Sequence, residues 1–162
     1  MDWLNAVIQG TLLGGLYALF AAGLSLIFGV MRLVNIAHGD LIVLSAYVAL
    51  TFGVSLGLNP LMALGLVVPT MALIGYLLQR GILNHTMGED PLPPLLVTFG
   101  LSVILQNALL MGYTADPQKL NAGPLETASL SLGPITLGIM PLVVFATAVA
   151  VIGALQWVFY HT

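Results

Sequence analysis

Gly23–Leu50 reads GLSLIFGVMRLVNIAHGDLIVLSAYVAL, and its centre decides the architecture. Arg32 through Asp40 form a polar knot wedged between two strongly apolar runs. The whole chain holds three basic and six acidic residues among 162. Two of those charges, together with Asn35 and His38, fall inside this one interval. Ionisable groups near a bilayer are expensive, and a cluster of them asks for a functional reason.

Outside the knot the chain is apolar. Hydrophobic residues make up 59% and charged residues 6%, with a mean hydropathy of +1.08. A soluble domain carries charge on roughly a quarter of its residues. This chain has too few polar groups to cover itself, so lipid is its solvent. The fold class is an all-α membrane protein, a polytopic helical bundle of about five transmembrane helices. Strands of a membrane barrel are excluded because the apolar runs are continuous and too long.

Crossing about 30 Å of hydrocarbon takes about 20 helical residues. The apolar runs place spans near residues 4–30, 41–58, 61–78, 94–113 and 135–160, within a single transmembrane domain over 1–162. Asn59-Pro60 is a turn signal between the second and third spans. Gln79 to Pro93 reads as a loop, with GEDPLPP as a rigid connector. Pro69 is expected to kink the third span and free a carbonyl. Before the fifth span, Ser129-Leu-Ser-Leu alternates, Gly133-Pro134 signals a turn and Ile135-Thr-Leu follows; residues 126–138 read as a compact turn or short hairpin.

Orientation rests on three basic residues. Arg32 and Arg80 follow the first and third spans and share one side, while Lys119 follows the fourth and lies on the other. The positive-inside rule then puts Arg32 and Arg80 in the cytoplasm and the N-terminus and the 114–134 loop outside.

Several function classes drop out. A net charge of −3 and no basic run argue against nucleic acid and against a polybasic lipid anchor; the membrane lipid itself is the partner. There is no cysteine, and three scattered histidines make no metal centre. No P-loop, H-E-x-x-H, G-x-S-x-G or paired carboxylates occur, so the chain reads as no enzyme and binds no cofactor of its own. Any ATP that drives it is bound by another subunit.

The knot keeps two readings from physics. It is a short turn with Arg32 snorkelling, or it is a broken element lining a polar path, where Asn35, His38 and Gly39 would meet a substrate. Gly39 supplies a helix break, and Asn35 and Asp40 are candidate caps of the second helix. Gln106 and Asn107 interrupt the fourth span; hydrogen bonding between helices is favoured for them over pore lining. Gly10, Gly14 and Gly15 form a small-residue face on the first helix, for close packing or for sliding.

Gly23–Leu50 resembles the signature segment of branched-chain amino acid ABC transporter permeases of the LivH type. That family shows N-[FIL]-A-H-G-[DE] followed by an apolar run containing A-Y, and Asn35–Asp40 matches it with Ile36 at the variable position. LLVTFGLSVILQN, from Leu95 to Asn107, is similar to the family's fourth span, and GTLLGGLYALFAAG, from Gly10, to its first. The resemblance covers most of the chain. It implies part of a larger ABC importer permease fold in a bacterial or archaeal inner membrane, multi-pass, with an external N-terminus. It further implies a second permease subunit, ATP-binding cassette subunits and an external substrate-binding protein as partners. The substrates it implies are branched-chain or related amino acids, and similar permeases serve urea and short amides.

One departure stands beside this. Family members run to nearly twice this length and carry a basic coupling loop after the fifth span, where this chain reads Tyr160-His161-Thr162. The expectation is the N-terminal portion of a longer permease. The alternative is a non-transporting membrane scaffold derived from a truncated permease.

Overall fold

The computed structural model describes residues 2–86, 88, 90–119, 128–132 and 135–161. Among them are five long helices: α1 (Asp2–Met31), α2 (His38–Leu56), α3 (Pro60–Gly81), α4 (Leu92–Tyr113) and α5 (Ile139–His161). A 3-10 turn, Leu83–His85, follows α3, and strands β1 (Ser129–Leu132) and β2 (Ile135–Gly138) precede α5. All five helices are long and apolar enough to cross a membrane. Their large side chains, such as Phe28, Leu73, Ile104 and Phe159, are exposed, as lipid-facing surfaces require.

The described residues fall into two compact units, Met1–Leu26 with Ala122–Thr162, and Ile27–Asn121. In the first unit α1 meets α5 at Gly15. A Cβ placed there would lie 2.5 Å from Cδ2 of Phe145, so the phenyl ring occupies the space glycine leaves. Gly10 and Gly14 have open space around them, so close packing is confined to one position of the small-residue face. Thr11 turns its hydroxyl onto the Val7 carbonyl of its own helix at 2.8 Å.

The expected hairpin is present in the same unit. β1 and β2 pair antiparallel, Ser129 opposite Gly138 and Leu132 opposite Ile135. Gly133 and Pro134 lie outside the described residues. The apolar run from residue 135 therefore divides: four residues pair as strand, and the helix starts at Ile139. The Ile139 N–H donates to the Ala128 carbonyl at 3.0 Å, one further link beyond the ladder. Pro141 in the first helical turn needs no N–H partner.

In the second unit, local chemistry sets the helix ends. Gly57 takes the left-handed conformation (φ 61°) that closes α2, and Pro60 opens α3 at its first position. α3 runs on through Pro69 without interruption. It also extends past its apolar run, so Gln79 and Arg80, expected in a loop, belong to the helix. The guanidinium of Arg80 donates to Tyr76 Oη one turn back at 2.6 Å, and a cation in the last turn suits the helix dipole. Leu92 and Pro93, also expected in that loop or at its edge, stand in the first turn of α4, where missing N–H groups cost nothing. Asp90 Oδ1 accepts the Leu92 N–H at 3.0 Å.

Candidate functional site

α1 ends at Met31, and the chain stays non-helical until His38. Arg32 adopts φ 54°, the left-handed region that costs a residue with a Cβ about 1–2 kcal/mol, and its N–H still reaches the Phe28 carbonyl at 2.9 Å. From Leu33 to Ala37 burial alternates: Leu33, Asn35 and Ala37 are buried, while Val34 and Ile36 are exposed. Alternation at period two belongs to extended backbone and not to a helix. The break between the first two helices therefore spans Arg32–Ala37. Gly39, expected to supply it, stands inside the first turn of α2.

Asn35 shapes the return into helix. Its Oδ1 accepts the Ala37 N–H at 3.0 Å and its carbonyl accepts the His38 N–H at 3.2 Å, an Asx turn on a backbone turn. No side chain caps α2, so neither Asn35 nor Asp40 is the cap the sequence suggested. Asn35 closes the turn one step earlier. Asp40 points across to another helix.

That helix is α4. Ser102 Oγ donates to Asp40 Oδ2 at 2.5 Å, and Gln106 Nε2 donates to Asp40 Oδ1 at 3.1 Å and to Ser102 Oγ at 3.2 Å. Thr98, fully buried, accepts the Ile36 N–H on Oγ1 at 3.3 Å and donates to the Leu95 carbonyl at 3.1 Å. Further along, Tyr113 Oη hydrogen-bonds the Thr51 hydroxyl and lies 3.4 Å from the Tyr47 carbonyl, and the two tyrosine rings stack with centroids 4.4 Å apart. The pairs 36–98, 40–102 and 51–113 share one offset, 62 residues. A constant offset means that α2 and α4 run parallel and in register. Their first turns lie at one end of this unit, together with Arg32 and with Arg80 at the end of α3.

The electrostatics follow from this placement. α2 has 19 residues, just enough at about 1.5 Å each to cross hydrocarbon, so its first turn is needed for the crossing. A carboxylate at the centre of a span costs on the order of 3 kcal/mol, and one in the first turn, as Asp40 is, costs less. Asp40 offsets part of that with two side-chain donors and with the positive end of α2, the latter about 0.3–1 kcal/mol.

Of the expected site residues, then, Asn35 is buried in the turn, His38 is half-buried, and Gly39 is exposed with no atom within 4 Å of an added Cβ. Arg32 is exposed at the end of α1. Gln106 links helices as expected. Asn107 does not: its Nδ2 donates to the Val103 carbonyl of its own helix at 2.8 Å. Neighbouring residues on a helix point about 100° apart, so only one of this pair can face α2. Thr98 and Ser102 were missed. Their spacing with Gln106, four and four, is a one-face polar stripe on an otherwise apolar helix.

Fold and site define a polytopic helical membrane protein with a polar break after its first span. The sequence profile of the family described as "Branched-chain amino acid transport system / permease component" matches residues 6–162, and the chain belongs to that family. The high-affinity branched-chain amino acid transport system permease protein BraD of Pseudomonas aeruginosa is 26% identical over 155 residues, which cover 88% of this chain and 50% of BraD. LivH of Escherichia coli K12, of the same printed description, is 27% identical over 114 residues, 65% of this chain and 37% of LivH. The chain thus spans about half the length of BraD and less of LivH. No solved structure matches it.

Proposed function

We propose that this chain is the amino-terminal portion of a permease subunit in an ATP-driven importer of branched-chain or related amino acids. Its helices form one part of a transmembrane domain in a bacterial or archaeal inner membrane, with the N-terminus outside. A second permease subunit completes the path, ATP-binding cassette subunits bind the ATP, and an external binding protein delivers substrate. The family match over residues 6–162 is the observation that carries this reading. The substrate class is taken from what BraD and LivH are named for.

Within that reading the Asn35–Gly39 segment lines the translocation path. In its support, the segment is non-helical up to Ala37, its polar groups fall in the chain between two apolar helices, and a Cβ added at Gly39 meets open space. A passing zwitterion needs hydrogen bonds without a fixed charge of one sign, which Asn35 and His38 offer. Asp40 would repel a substrate carboxylate and serves instead to hold α4.

The test is uptake by the complete transporter with its partners. His38→Ala and Asn35→Ala are expected to lower uptake several-fold, since one hydrogen bond is worth about 1 kcal/mol. Asn35→Asp separates turn from path, because it keeps an acceptor for the Ala37 N–H and removes the amide donor. Normal uptake by both His38→Ala and Asn35→Asp, at normal membrane abundance, would leave the segment a structural turn.

A further inference from the structure

The segment that carries the candidate path residues is fixed at two points, and both fixings come from α4. At one end Thr98 accepts the Ile36 N–H. At the other, Ser102 and Gln106 hold the Asp40 carboxylate. His38 and Gly39 lie between these two points. Thr98 is fully buried and Ser102 is 7% exposed, so neither hydroxyl is a solvated surface group. A buried hydroxyl with defined partners holds its neighbours in one geometry, and the low surrounding polarity strengthens that hold. Without Thr98 the Ile36 N–H would be an orphan donor of irregular backbone.

We propose that Thr98 and Ser102 are positioning residues: they clamp Ile36 and Asp40 so that the His38–Gly39 stretch keeps its open face. This rests on the path reading for its link to transport, but the clamp itself is a separate physical claim. The hydroxyls act through the segment and need not touch substrate. Because α2 and α4 are in register over the whole seam, any slide or tilt of α4 along α2 is transmitted to the segment through these two bonds. Thr98 Oγ1 alone is seen to accept the Ile36 N–H among the described residues. Ser102 shares its load with Gln106, so its loss is expected to have the smaller effect.

The chain contains no cysteine, so a single Gly39→Cys substitution reports on the segment directly. A Cβ added at this position meets nothing within 4 Å. The chain is expressed in membrane vesicles and reacted with N-ethylmaleimide. Thr98→Val keeps the shape and removes the hydroxyl; it should raise the labelling rate at position 39 about fivefold, the factor equivalent to one lost hydrogen bond. Ser102→Ala should raise it less, and Thr98→Ser should leave it unchanged. A thiol at Val54, 76% exposed on the same helix, is the control and should not respond. An unchanged rate at position 39 overturns the clamp. An equal rise at positions 39 and 54 also overturns it, because that is general loosening. If Thr98→Val fails to accumulate, Ser102→Ala decides by the same two criteria.

In the complete transporter, Thr98→Val should then lower uptake several-fold at normal abundance, with recovery in Thr98→Ser. Altered labelling with normal uptake would overturn the positioning role in transport. The path reading stands or falls separately on the His38 and Asn35 variants.

Discussion

Ser102 and Asp40 meet at 2.5 Å across two parallel helices, and the 62 residues between them recur between Ile36 and Thr98 and between Thr51 and Tyr113. One register thus governs the whole contact of α2 with α4. It runs from a buried hydroxyl beside the polar break to a tyrosine pair at the far end of the seam. α3 is the return path that makes the parallel arrangement possible, and its Arg80 comes back to the end where α2 and α4 begin.

The Ser102–Asp40 pair should be energetically coupled. A double-mutant cycle with Ser102→Ala and Asp40→Asn, read by reversible unfolding in mixed detergent micelles, should give a coupling of about 0.6–1.7 kcal/mol. Strict additivity would mean that the short contact contributes nothing to holding α2 on α4.

Tyr113→Phe isolates the other end of the seam. The ring stack on Tyr47 is retained and the bond to the Thr51 hydroxyl is lost. The expected cost is about 0.5–1.5 kcal/mol in the same unfolding assay. A matching loss in Thr51→Val, with no further loss in the double variant, would assign the effect to that bond. Additive losses would contradict it.

Gly15 and Gly14 should behave in opposite ways although they are adjacent. Gly15→Ala drives a methyl into the Phe145 ring, a contact that costs about 1–3 kcal/mol as overpacking. Phe145→Leu should recover much of it. Gly14→Ala meets nothing and should be neutral or stabilising by up to about 1 kcal/mol, from helix propensity alone. Equal effects at the two positions would show that Phe145 does not occupy the notch.

Much of this is legible in the sequence. Long apolar runs leave helices as the only way to satisfy the backbone in lipid, so five spans followed from composition. Turn chemistry is local too: Asn59-Pro60 and the alternation beginning at Ser129 marked the α2–α3 turn and the hairpin. Helix ends were harder. Polarity marks where a helix leaves hydrocarbon, and Gln79 and Arg80 are polar residues that remain helical beyond that point. The α4 clamp was hidden for a different reason. Thr98 and Ser102 are common residues in apolar helices, and their role exists only because α2 lies alongside in parallel register. That is a non-local fact which no window of sequence contains. Gln106 was visible as a bundle amide, but its neighbour Asn107 had the same signal and points elsewhere.

Arg32 occupies a backbone position that glycine would occupy at lower cost. Arg32→Gly should stabilise the chain by about 1 kcal/mol, and Arg32→Val should destabilise it by at least as much, because a β-branched residue is worse still at φ 54°. A stabilised Arg32→Gly variant with less reliable orientation in the membrane would show that the cation is kept for topology at a conformational cost. A destabilised Arg32→Gly variant would instead mean that the guanidinium makes a contact worth more than the strain.

That argument depends on which side Arg32 faces, and the orientation is directly testable. Arg32 and Arg80 share one end of the α2–α4 unit, while Lys119 follows the other end of α4. With only three basic residues in the chain, the positive-inside rule decides by two against one. Gly88→Cys and Gln118→Cys place thiols on exposed residues near these two ends and leave all three basic residues intact. An impermeant thiol reagent applied to intact cells should modify position 118 and should reach position 88 only after permeabilisation. The reverse pattern would put the polar break on the outer side of the membrane. Arg32 would then face away from the cytoplasm, and the break would meet substrate at arrival instead of at release.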